Sequence, residues 1–147
     1  MVNKRIIGLF FALVIILSLA GCSSGNGKTQ KIADTIIDIG ESEIFSEKDR
    51  NSAAEFILNK WKNEPTITKL YSITYAGDEE SKYEQKYYYD WGEGYSYEEM
   101  IVFYISFHTA KGAESEGFES NEDYDGWSEI LGRNNGGEWV FVTGGYG

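Results

Sequence analysis

Apolar residues recur at helical spacing in one clear stretch of the chain. Ala53, Ala54, Ile57, Leu58 and Trp61 fall on one face, with Phe56 at its margin. Ser46 supplies a side-chain acceptor just ahead of that stripe. Glu47 and Asp49 put negative charge in the first turn, and Lys60 and Lys62 put positive charge near the other end. Asp49 stands where a full capping box has Glu or Gln. Pro65 disfavours helix at Glu64, so the pattern predicts one amphipathic helix over Glu47–Asn63.

Beyond Pro65 the period drops to two. Thr66 to Ala76 is rich in Thr, Ile and Tyr and reads as a strand, broken at Gly77 to Ser81. Lys82 to Trp91 alternates, with Tyr83, Tyr87, Tyr89 and Trp91 on one side, and is read as a second strand. Met100 to Thr109 is the central one. Ile101, Phe103, Ile105 and Phe107 make its unbroken apolar face, and Met100, Val102, Tyr104, Ser106 and His108 a mixed one. Trp127–Asn134 and Gly137–Thr143 form a closing hairpin through Asn135-Gly136, a pair suited to the positive φ angles of a type I′ turn. The register expected from that turn sets Arg133 opposite Glu138, Leu131 opposite Val140, and Trp139 over Gly132. Ile36, Ile37 and Ile39 suggest a short strand or extended segment before the helix, and Ala110 to Asp125 a long acidic loop.

The fold class that follows is α+β, with one amphipathic helix packed on a four- to five-stranded antiparallel sheet. The helix stripe should meet Ile101, Phe103, Ile105 and Phe107, which leaves Tyr104 on the outer face with Tyr88 of a neighbouring strand. Phe45-Ser46-Glu47, Thr68-Lys69-Leu70, the Phe107 region, Trp127 with Ile130-Leu131 and Arg133, then Trp139 and Gly145-Tyr146, carry a likeness that extends from about Ile44 onward. In these residues the chain resembles a family of small secreted and lipoprotein domains of Gram-positive bacteria, similar in architecture to cystatin-like and nuclear-transport-factor-2-like folds. The resemblance rests on packing and turn residues, so it implies a fold and no activity. The Gln-x-Val-x-Gly hairpin and Pro-Trp loop of inhibitory cystatins do not occur here, and the one proline, Pro65, precedes Thr66.

The N-terminus changes the picture. Lys4 and Arg5 precede an apolar run from Ile6 to Leu19, interrupted by Gly8 and Ser18. A basic start, an apolar run of this length and small residues at its end make a secretory signal, and the run is short for a membrane span. Leu19-Ala20-Gly21-Cys22 resembles the bacterial lipobox, which implies a lipid, diacylglyceryl with palmitate-type chains, on the sulfur of Cys22. Expected organisation is therefore a cleaved signal over 1–21, the lipidated Cys and a flexible Gly- and Ser-rich tether over 22–31, and one α+β domain over 32–147. An uncleaved anchor with an incidental cysteine is the alternative. The tether reaches roughly 15–18 Å, so the domain would sit on the extracytoplasmic face of the membrane, close to the lipid. With Cys22 the only cysteine, no disulfide is possible.

Loss of Lys4 and Arg5 with the signal leaves 11 basic side chains against 24 acidic ones, a formal charge of about −13. That sign repels nucleic acid and anionic headgroups, so attachment falls to the lipid. Candidate chemistry is sparse. His108 is the single histidine and could act as a base, but no nucleophile accompanies it. Asn121-x-Asp123-x-Asp125-Gly126 resembles the start of a calcium loop, yet position 12 is Gly132 where a bidentate Glu belongs, so no metal and no cofactor are expected. Eleven tyrosines and four tryptophans remain. Tyr-rich faces bind proteins or sugars, and Tyr is also a good strand residue. The expectation is a non-catalytic binding or scaffolding domain for a protein or carbohydrate, with Tyr88, Tyr104 and His108 as candidate contacts. A small enzyme with a pocket between helix and sheet is the alternative.

Overall fold

The computed structural model describes residues 32–90 and 96–146. These residues form β1 (Ile36–Asp38), α1 (Glu47–Asn63), β2 (Ile67–Tyr75), α2 (Asp78–Asp90), β3 (Glu99–Thr109), β4 (Asp123–Arg133) and β5 (Val140–Gly145). The strands lie in the order β1-β2-β3-β4-β5 in one sheet. β1 runs parallel to β2, and the other three pairings are antiparallel. The α+β class is as expected, but the sheet is mixed rather than antiparallel. The cause is α1 itself, a helical crossover that returns the chain to the end from which β1 started.

α1 begins where its sequence says. Asp49 N–H donates to Ser46 Oγ at 3.1 Å and Ser46 N–H donates to Asp49 Oδ2 at 3.2 Å, so Asp49 completes the capping box despite being one carbon shorter than Glu. Ala53, Ala54, Ile57 and Trp61 are buried against Ile101, Phe103, Ile105 and Phe107, the apolar face expected of the central strand. Arg50 is buried on the same helix and donates to three backbone carbonyls of the incoming segment, those of Ile39, Gly40 and Phe45.

The second expected strand, Lys82 to Trp91, is instead helix α2, and Trp91 lies outside the described residues. Tyrosines at 83, 87 and 89 satisfy a period of two, but the segment holds no β-branched residue, and Asp78, Glu79 and Glu80 supply a negative first turn. Asp78 also fixes the start of α2 to the α1 side: it accepts from Ser42 Oγ, Glu43 N–H and Tyr75 Oη at 2.5, 2.8 and 2.7 Å. Burial works against its charge, but those hydrogen bonds outweigh it and hold the carboxyl below the usual aspartate range. α2 lies over the outer face of the sheet, where Met100, Val102 and Ile130 form a second buried cluster with Tyr88 and Tyr97 against it.

The closing turn has the expected geometry, with φ of 55° at Asn135 and 60° at Gly136. Its register is one residue off beside the turn, where Gly132 pairs with Val140 and Leu131 with Phe141, and two residues off past a bulge, where Ile130 pairs with Thr143. The slip comes from Trp139, which leaves the ladder for the core. Its indole N–H donates to Ser52 Oγ on α1 at 3.0 Å, and the Arg133 guanidinium lies 4.2 Å from the ring centroid. Arg133 pairs with Glu99 at 2.7 Å and Asp49 at 2.6 Å, not with Glu138. An aromatic does cover Gly132, but it is Tyr97: a Cβ at position 132 would lie 2.4 Å from its ring.

Candidate functional site

The β4–β5 end of the sheet carries a concavity on each face. On the outer face, α2 stands off from β4 and β5 and leaves a groove of about 460 Å³. Helical spacing brings Glu80, Tyr83, Glu84 and Tyr87 along its α2 wall, while Ser128, Ile130 and Thr143 form the sheet wall and Tyr146 closes the end. Tyr83 and Tyr87 are stacked, with centroids 6.4 Å apart and planes 13° from parallel. Among the described residues none that lines the groove is cationic, because Lys82 and Lys86 project from other sides of α2. Burial, helped by the charge of Glu80, raises the Glu84 carboxyl.

The candidate residues named from sequence divide here. Tyr88 lines the groove and packs on the outer cluster, though from a helix rather than a strand. Tyr104 is on the outer face as expected and 36% exposed; burial and the neighbouring Glu80 carboxylate, which accepts its hydroxyl, raise its pKa. His108 is on the same face but outside the groove. Its Nδ1 lies 2.8 Å from Asp123 Oδ1, which also accepts from Tyr71 Oη at 2.8 Å. Hydrogen bonds from His108 and Tyr71 lower the Asp123 carboxyl, and the bond to Asp123 raises the Tyr71 hydroxyl. Asp125 accepts from Ser106 Oγ at 2.5 Å. The segment with calcium-loop spacing thus turns at Asn121 and is strand β4 from Asp123 onward, so the loop expected over Ala110 to Asp125 ends before Asp123, and the carboxylates of Asp123 and Asp125 are both engaged by protein donors. Among the described residues no three His, Cys, Asp or Glu side chains gather to hold a metal ion. Cys22 and Leu19-Ala20-Gly21 lie outside the described residues.

The inner face holds a second cleft, of about 350 Å³, which sequence reasoning missed. Trp61 and Lys60 of α1, Phe118, and Trp127, Glu129 and Phe141 of the last two strands line it. Glu129 opposes Phe103 in the ladder and so points inward, where its side chain is 1% exposed. Both its oxygens accept from Lys60 Nζ, at 2.9 and 2.8 Å. Burial raises the Glu129 carboxyl, and the Lys60 charge opposes that shift without cancelling it. The Lys60 ammonium also lies 3.8 Å from the Phe141 centroid and 4.9 Å from that of Trp61. The buried Trp61 Nε1 has no partner at hydrogen-bonding geometry, yet sits near enough to Glu129 to favour its charged form. The available signal was Glu129 itself, a charge in phase with Trp127 and Leu131. His108 and Glu129 are on opposite faces of the sheet, so they form no acid–base pair. No protein-family model, curated protein or solved structure matches this chain.

Proposed function

We propose that this chain is an extracytoplasmic lipoprotein, anchored through Cys22, whose domain binds a protein or carbohydrate without catalysis in the groove between α2 and β5. The observation that carries the reading is the lining of that groove: stacked Tyr83 and Tyr87 with Tyr88 and Tyr146, beside two carboxylates and, among the described residues, no base. Tyrosines offer flat contact area with a polar tip at low entropic cost. Such a wall suits a sugar ring or a peptide segment, and its negative charge disfavours nucleic acid. The packing of α1 across β2, β3 and β4 supports a cystatin-like core, to which α2 and the parallel strand β1 are additions.

Two experiments test this. Expressed in a Gram-positive host, the protein should partition into detergent, and Cys22→Ala should move it to the aqueous phase or block processing; an unprocessed, lipid-free mass refutes the anchor. Soluble cell-wall glycans and peptides titrated against the protein should give saturable shifts along the groove, at Tyr88, Thr143 and Tyr146, that a Tyr83→Ala, Tyr87→Ala double variant loses. Shifts confined to the His108–Asp123 region would refute the groove. The alternative, a small enzyme, draws on Glu129, a buried carboxyl with a raised pKa in a cleft. Its test is any turnover that Glu129→Gln abolishes.

A further inference from the structure

The inner cleft has a chemistry of its own. Glu129 is fixed in the sheet and buried, whereas Lys60 is held on a four-carbon stem with its side chain 34% exposed at the mouth. One member of the ion pair is therefore rigid and the other can swing outward. The walls between and beside them are the rings of Trp61, Phe118, Trp127 and Phe141. A volume of about 350 Å³ is in the range of small-ligand sites. Gly144 on β5 keeps the floor open: a Cβ there would lie 2.8 Å from Glu129 Oε1 and 3.0 Å from Trp127 Nε1. Its φ is not in the left-handed range, so glycine is needed at this position for room rather than for backbone freedom.

We propose that this cleft binds a free α-amino acid with an apolar side chain. The ligand ammonium takes Glu129, its carboxylate takes Lys60 as that side chain swings outward, and its side chain lies among the aromatic rings. Charge balance selects this class. An anion without an ammonium would draw Lys60 off Glu129 and leave a buried carboxylate unpaired, a penalty on the order of 100-fold or more in affinity. A simple amine would only replace one ammonium by another and give up the advantage of a tethered partner. A zwitterion enters the ion pair and leaves every charge with a counter-charge. Glu64 and Glu116 at the rim further disfavour ligands with net negative charge, including amino acids with acidic side chains. Lys60 already shows that an ammonium fits between Glu129 and the Phe141 ring.

The test uses the full-length protein in detergent with the protein amino acids as probes, followed by tryptophan fluorescence and calorimetry. At least one apolar member should bind saturably with a Kd below about 10 mM, and the acidic members should not. Blocking the best probe as its N-acetyl derivative, or as its carboxamide, should weaken binding by about tenfold or more in each case, as expected when a charge-assisted hydrogen bond is lost. Glu129→Gln and Gly144→Ala should abolish binding, Lys60→Arg should retain it, and the Tyr83→Ala, Tyr87→Ala variant should leave it unchanged. Absence of saturable binding across the series overturns the proposal. So does binding to the unmodified protein that neither blocking group weakens, a result that needs no variant to fold. Either outcome leaves the tyrosine groove reading intact.

Discussion

Replacing Lys60 by Met keeps most of the apolar stem and removes the charge that faces Glu129. The loss of one partner from a fully buried ion pair costs about 3–5 kcal/mol, because the other charge is left without compensation. Lys60 is one-third exposed, so solvent already screens it, and about 2 kcal/mol at neutral pH is the discounted expectation. The sign with pH is specific. Burial already raises the Glu129 carboxyl, with Lys60 opposing, so removing Lys60 raises it further. A carboxyl raised on folding contributes stability that is complete below its unfolded value, about 4.3, and is lost as pH rises through the folded value. The deficit of Lys60→Met against the parent should therefore be largest near neutral and alkaline pH and shrink toward about pH 4.5, close to the unfolded carboxyl value. Urea unfolding of both proteins at the two pH values reads this directly. With a slope of about 1–3 kcal/mol/M the midpoint should fall by about 1 M at neutral pH and much less in acid. An equal deficit at both pH values would show that Lys60 acts through the packing of its stem on Trp61 and Phe141, and would refute the electrostatic account.

Phe103 is fully buried between α1 and the sheet, so Phe103→Ala should cost about 3–5 kcal/mol by denaturant unfolding, whereas Tyr104→Ala on the outer face should cost much less. Hydrogen bonds from Arg133 and Ser46 lower the Asp49 carboxyl. Its contribution is present above the unfolded aspartate value and lost as pH falls through the lowered one, so Asp49→Asn should flatten the acid limb of a stability–pH curve. Gly132→Ala should displace the Tyr97 ring and cost about 1–3 kcal/mol, seen as a lower melting temperature. Millimolar calcium should leave the melting temperature nearly unchanged, since saturation at about 100 times Kd would add about 2.7 kcal/mol; a shift of many degrees that Asp123→Ala removes would reverse the reading of β4.

Local patterns carry α1, β2, β3 and the inner core, because each depends on residues a few positions apart: the Ser46–Asp49 cap, the Ala53 to Trp61 stripe, the alternation from Ile101 to Phe107. The Asn135-Gly136 turn is legible in type, and its register is not, since the anchor of Trp139 on Ser52 lies 87 residues away. α2 misleads because three tyrosines mimic a strand face. The missing β-branched residues and the acidic first turn are the stronger signals. The tyrosine groove is half legible: Tyr88 and Tyr104 fall on the right side of the sheet, but without α2 there is no second wall. Glu129 and Lys60 are 69 residues apart, and nothing in either neighbourhood announces the other. Lys60 reads as a helix-end charge, and Glu129 as one more acid in a chain of 24.

Strand β1 gives the fold a mechanical character. A load applied to the chain ahead of residue 32 enters through a strand held by three register pairs, Ile36 with Ser72, Ile37 with Ile73 and Asp38 with Thr74. That strand is the edge, so it can peel without disturbing the ladders from β2 to β5. The peel then meets Arg50, rooted in α1 and gripping the carbonyls of Ile39, Gly40 and Phe45. Under such a load β1 would yield first and the Arg50 contacts would resist next. Tension on the N-terminal side would release several residues of chain while both clefts at the far edge keep their shape.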